Sequence, residues 1–97
     1  MKKCEIIEAI EEELQRAEKK HPKWPENIFK QAAIVSEETG EMVRACLHLE
    51  DEGGSIHQVK DELVQIAAMC IRMLLNPPLE KILKSAKGEQ IERFDIF

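Results

Sequence analysis

The sequence predicts an all-α fold, an antiparallel bundle of about four helices completed by oligomerisation, on three observations. Apolar side chains recur at three- and four-residue spacing along most of the chain. Charged residues make up 34% of it and Gly and Pro number four each, a composition that favours helices over a sheet. The breaks in the pattern fall where Pro and Gly gather, at "HPKWP", "EDEGGS" and "NPP".

A first helix is expected from about Lys3 to Lys19, where Ile7, Ile10, Leu14 and Ala17 share a face with Ile6 beside them. Pro22 and Pro25 end it, since each disfavours helix at the residue before. A second helix follows from about Glu26 to Leu49, with Pro25 as its first-turn residue. Ser55 caps a third, which runs to about Leu75. "NPP" closes that one, and Pro78 or Leu79 opens a short fourth helix to about Lys87, with Gly88 as its stop. Residues 88–97 are a tail or a partner-binding arm. Ninety-seven residues make one domain, 1–97, near the size at which a chain can just bury an adequate core.

The third helix carries the expectation of a partner. Val59, Leu63, Ile66, Cys70 and Met73 form one apolar stripe, and Val64, Ala67, Ala68, Ile71, Leu74 and Leu75 cover most of the other side. Gln58, Asp61, Glu62, Gln65 and Arg72 remain as a narrow polar strip, either a wet edge or the wall of a pocket. A helix apolar nearly all round is buried, and in so small a chain that implies another subunit, in a homodimer or homotetramer.

Composition bounds the function. A net charge of -5 argues against a nucleic-acid polymer held by phosphate attraction, but not against a phosphorylated small molecule bound through metal ions. Cys4, Cys46 and Cys70 lack C-x-x-C spacing and are expected as buried, reduced thiols. The start of the chain is too acidic for a targeting peptide and no segment approaches a membrane span, so a cytoplasmic protein without membrane contact is expected.

The second helix contains "SEETGEMVRA", where Glu37, Glu38 and Glu41 surround Thr39 and Gly40. Like charges three or four residues apart destabilise a helix by a few tenths of a kcal/mol per pair, and glycine costs up to about 1 kcal/mol relative to Ala. Glu38 also faces Ile34, Val35 and Met42. Either Arg44 and Lys30 neutralise a charged surface, or the carboxylates hold something. A second acidic segment, "KDELVQIA", lies on the next, antiparallel helix, with Glu62 at the border of its apolar stripe. Inward carboxylates from two such helices form an oxygen cage suited to Mg2+ or Mn2+.

Glu37-Glu38-Thr39-Gly40-Glu41 resembles the E-E-x-x-E motif of the MazG-like all-α nucleoside triphosphate pyrophosphohydrolases. Their second motif is E-x-x-D on the following helix; here Glu62 fills its first position and Gln65 stands where the pattern has Asp. The resemblance covers roughly residues 21–75. It implies Mg2+-dependent hydrolysis of a (deoxy)nucleoside triphosphate to the monophosphate and pyrophosphate. Glu38, Glu41 and Glu62 would hold the ion, with Gln65 a weaker ligand beside them. Glu37 and Glu38 would be catalytic, Glu37 by binding a second ion or orienting the attacking water. The departure at Gln65 keeps open an alternative, a non-catalytic helical module that binds nucleotide or a protein partner. A phosphoribosyl-ATP pyrophosphohydrolase is a narrower variant of the same chemistry.

For the substrate itself, Trp24 either stacks on a base or plugs the end of the bundle. Lys30 and Gln31 lie on the carboxylate side, in reach of phosphate, although Lys30 serves equally to neutralise Glu37. Arg72 meets a phosphate or forms a salt bridge. His21 is expected at the surface of a loop, and His48 either lines the pocket or marks a helix end. A ferritin-like di-iron site needs Glu-x-x-His on two helices, and only Glu18-x-x-His21 fits.

Overall fold

Four helices and no strand build residues 1–86, the part of the chain that the computed structural model describes. They are α1 (Lys3–Lys20), α2 (Ile28–Asp51), α3 (Ile56–Leu75) and α4 (Leu79–Ser85). The expected end of the fourth helix at Lys87, its stop at Gly88 and the segment 88–97 lie outside the described residues. None of the described helices is long and apolar enough to cross a membrane.

Local chemistry sets the helix ends. α2 begins two residues later than expected because Asn27, not Pro25, starts it. The Asn27 side-chain oxygen accepts from the N–H groups of Phe29 at 2.9 Å and Lys30 at 3.1 Å, satisfying two donors that the first turn leaves open. α2 also runs past Leu49 to Asp51, where the N–H groups of Glu52 and Gly54 both close on the His48 carbonyl. That stop needs both glycines. Gly53 has φ of +69°, and a Cβ on Gly54 would stand 2.9 Å from His48. Ser55 caps α3 as expected, its hydroxyl accepting from the N–H of His57 at 3.1 Å.

α3 is the central element. It packs on α2 along one side and on α1 along another, and α4 lies against it. Ala17 of α1 meets Ala68 and Met69 of α3 in the buried centre, ringed by Ile10, Leu14, Trp24, Ile34 and Val35. Small residues at this crossing leave room for the helices to approach, and Trp24 packs against the same cluster.

One chain buries little more than that. Among the described residues the buried apolar side chains are Ala17, Ala45, Ala68 and Met69, while Val43, Leu47, Leu63, Leu74 and Leu75 are exposed. α3 was expected to be covered nearly all round, but within one chain only its Ala68–Met69–Arg72 side is buried. The burial expected of the cysteines fails for the same reason, while the free thiols agree with the reduced state expected. Cys4 and Cys70 are exposed and Cys46 is half-buried, all three as free thiols, because Cys70 falls on the uncovered stripe and Cys4 on the open face at the start of α1.

Two substitutions test this account of the helices. Asn27→Ala removes the α2 cap and is expected to cost about 1 kcal/mol. Gly40→Ala places a Cβ where nothing lies within 4 Å, so it is expected to stabilise by up to about 1 kcal/mol. Urea denaturation followed by circular dichroism checks both, and a destabilising Gly40→Ala would mean that something covers that face.

Candidate metal centre

Glu38 and Glu41 are three residues apart on α2, so they project from one face of the helix. Glu62 meets them from α3, carried there by the tight Gly53–Gly54 turn that makes the two helices antiparallel neighbours. Each of the three offers a carboxylate oxygen, and these oxygens all lie within 4.8 Å of one another. Two oxygens on one divalent ion, with bonds of about 2.0–2.6 Å, are at most about 4–5 Å apart. The trio therefore has the spacing of a shared ion.

No salt bridge among the described residues reaches it. Among the described residues the salt bridges are Arg16–Glu13, His48–Glu52 and Lys60–Asp61, so neither Arg44 nor Lys30 neutralises the cluster. Arg16 lies close enough to feel Glu38, yet its guanidinium forks onto both oxygens of Glu13, at 2.9 and 2.6 Å. One oxygen each of Glu38 and Glu62 is buried with no hydrogen-bond partner. Such orphaned acceptors are costly, and a cation would satisfy them. Burial first, then the charges of Glu41, Glu62, Glu37 and Glu13, hold the Glu38 carboxyl above the usual carboxylate range. Glu62 is raised too, by burial, by the charge of Glu41 and a hydrogen bond with it, and by Asp61. The donor set is all oxygen, as hard divalent ions prefer.

The other expected ligands stand around this trio. Glu37 is exposed and outside it, adding repulsion at Glu38. Gln65, half-buried one turn beyond Glu62, lines the adjoining cleft together with Glu38. Asp61 is exposed and paired with Lys60 at 2.8 Å, on the wet edge of the α3 polar strip. The Thr39 hydroxyl bonds back to the Val35 carbonyl at 2.9 Å and so turns into its own helix.

The adjoining cleft holds about 370 Å³ and lies where the end of α1, the 21–27 segment, α2 and α3 meet. Ala17, Ile34, Met69 and Trp24 give it apolar walls, Glu38 and Gln65 stand at its acidic side, and Arg16, Lys20 and Lys23 add positive charge. Sequence reasoning missed those three cations. The available signal was the four-residue step from Arg16 to Lys20 on α1, continued by Lys23.

Two residues expected to contact substrate do something else. Gln31 is 0% exposed, and its amide donates to the carbonyls of Pro25 at 2.7 Å and Pro77 at 2.8 Å, so it ties backbone segments together. Arg72 is 4% exposed; its guanidinium donates to the carbonyls of Ala17 and His21 and lies 4.7 Å from the centre of the Trp24 ring. It meets carbonyls and an aromatic face in place of the expected phosphate or carboxylate. Lys30 is exposed on α2. Trp24 is half-buried, both packed on the core and lining the cleft, with its indole N–H buried and unpaired. His21 is exposed, and His48 is paired with Glu52 at the end of α2, 3.2 Å away.

No family model matches the chain, and no curated protein or solved structure does either. What the site does has to follow from its own residues.

The raised carboxyls give a pH prediction. A group whose folded-state pKa is raised contributes stability below its unfolded value, and that contribution is lost as pH rises through the folded value. In EDTA, the double variant Glu38→Gln/Glu62→Gln should therefore gain stability over the parent as pH rises from the ordinary carboxylate range toward neutral. Added Mg2+ or Mn2+ should reverse the order by stabilising only the parent. Thermal melts across that range read both effects.

Proposed function

We propose that the protein is a Mg2+-dependent nucleoside triphosphate pyrophosphohydrolase of the MazG-like kind, releasing pyrophosphate and a nucleoside monophosphate. The observation that carries the reading is the unneutralised Glu38–Glu41–Glu62 trio opening beside a cleft with an aromatic wall. Glu38, Glu41 and Glu62 would hold the ion, with the Gln65 amide oxygen as a weaker neighbour; Mn2+ would substitute. When bound, the ion neutralises triphosphate charge and lowers the pKa of a water.

In this reading a water oxygen bonds to the α-phosphorus, the bond from that phosphorus to the bridging oxygen breaks, and pyrophosphate leaves. Glu38 or Glu37 takes the proton that the water loses. Lys20 and Lys23 line the cleft as exposed cations and Lys30 is exposed on α2, and these would attract the phosphates. Trp24 offers an aromatic surface to the base.

The active form is read as a homodimer or homotetramer. Exposed Val43, Leu47, Leu63, Leu74 and Leu75 on the two longest helices support this, because one chain leaves them uncovered. A monomer mass by light scattering at micromolar concentration would refute it.

Gln65 supports a second reading, since an amide brings less charge to the site than the Asp of the motif. The protein would then bind nucleotide, or a protein partner, without turnover.

Pyrophosphate release from a panel of canonical and modified dNTPs, with Mg2+ or Mn2+, separates the two. Turnover is expected, with Glu38→Gln and Glu62→Gln each losing at least about a hundredfold, as the loss of a general base or metal ligand does. No turnover of any nucleotide, with Glu38→Gln indistinguishable from the parent, would sink the hydrolase reading; calorimetric binding without hydrolysis would favour the second.

A further inference from the structure

We propose that Arg72 is the positioning residue of the cleft: from within α3 it grips the end of α1 and the face of Trp24, and so presets the aromatic wall that a ligand's ring meets. The proposal rests on the nucleotide reading only for what that ring is.

A buried guanidinium with no carboxylate partner among the described residues needs another source of negative potential. The last turn of α1 supplies it. The Ala17 carbonyl, which also accepts the N–H of His21, accepts from Nη1 at 3.4 Å, and the His21 carbonyl accepts from Nη2, at the helix end where the negative end of the dipole lies. The same planar group covers one face of Trp24, its carbon 4.7 Å from the ring centre. One side chain therefore holds both the end of α1 and the indole. Asn76 steadies the helix beneath it, donating to the Arg72 carbonyl at 2.7 Å.

The far end of the Trp24 segment is held independently. Gln31 bonds the Pro25 carbonyl and, on the other side, the Pro77 carbonyl of the α3–α4 turn. Between the two clamps, Pro22 and Pro25 restrict the backbone further. A segment gripped at His21 and Pro25 and stiffened by two prolines is a wall already in place, not a lid that closes on a ligand. Lysine could not replace Arg72, because a single ammonium has neither the fork for two carbonyls nor the plane for the ring.

Trp24 is the only tryptophan, so its fluorescence reports the wall directly. Arg72→Met and Arg72→Lys are compared with the parent for emission maximum and acrylamide quenching, with helicity checked by circular dichroism. Both variants should shift emission to longer wavelength and increase quenching, and Gln31→Leu should do so from the other clamp. If Arg72→Met fails to fold, Arg72→Lys supplies the reading. For the dNTP turned over fastest by the parent, the Arg72 variants should need roughly tenfold more nucleotide for half-saturation, the worth of one base–aromatic stack, with the loss falling on KM more than on kcat. Parent-like emission and quenching in a folded Arg72 variant would overturn the proposal, as would a loss confined to kcat. Should the parent turn over no nucleotide, the hydrolase reading fails, and the emission of the variants still decides the role of Arg72.

Discussion

Repulsion among Glu38, Glu41 and Glu62 is the constraint around which the rest of the structure is arranged. The α2–α3 contact is the broadest among the described helices, and it places these carboxylates, one oxygen from each, within 4.8 Å of one another. No salt bridge among the described residues offsets them. Arg16, which feels Glu38, is engaged by Glu13, and the helix carrying two of the three also carries Gly40. Packing elsewhere must hold the pair of helices together against that local cost. The Gly53–Gly54 turn, the Asn27 and Ser55 caps and the Ala17–Ala68–Met69 centre do so. A site that is destabilising until it is filled is the expected form of a binding site, since the ligand then returns its full interaction to the folded state.

The same economy of core explains the rest of the molecule. With so few apolar side chains fully buried, polar ones do part of the holding. Gln31 joins three segments from a completely buried position, and Arg72 joins α3, α1 and Trp24. Each donates to backbone carbonyls brought in by other segments, so each supports segments that apolar packing alone would leave loose. These contacts also fix the relation of the cleft to the carboxylates, because the cleft wall and Glu38 are carried on the helices they tie together.

How much of this was legible follows from how local each signal is. The helices were readable because Pro, Gly and Ser act on their immediate neighbours, and α3 begins and ends where its signals put it. Asn27 was passed over for Pro25 since both are start signals, and only the Asn side chain supplies an acceptor to the first turn. The trio was legible because Glu38 and Glu41 share a helical face and a short turn returns Glu62 to it. The roles of Gln31 and Arg72 were not. Their partners Pro77 and His21 lie 46 and 51 residues away, and a polar residue on a helix reads the same whether it faces water or a carbonyl brought in by another element. Burial of Cys4 and Cys70 was misjudged on the same ground, because an apolar stripe does not say whether its own chain covers it.

That the trio is a divalent-cation site is the central claim, and Mn2+ binding followed by the loss of the free-ion electron paramagnetic resonance signal tests it most directly. At neutral pH the parent protein should take up Mn2+ saturably, Mg2+ should compete for it, and Glu38→Gln and Glu62→Gln should each weaken uptake by about tenfold or more. Free Mn2+ undiminished by the protein, or taken up equally by both variants, would contradict the account.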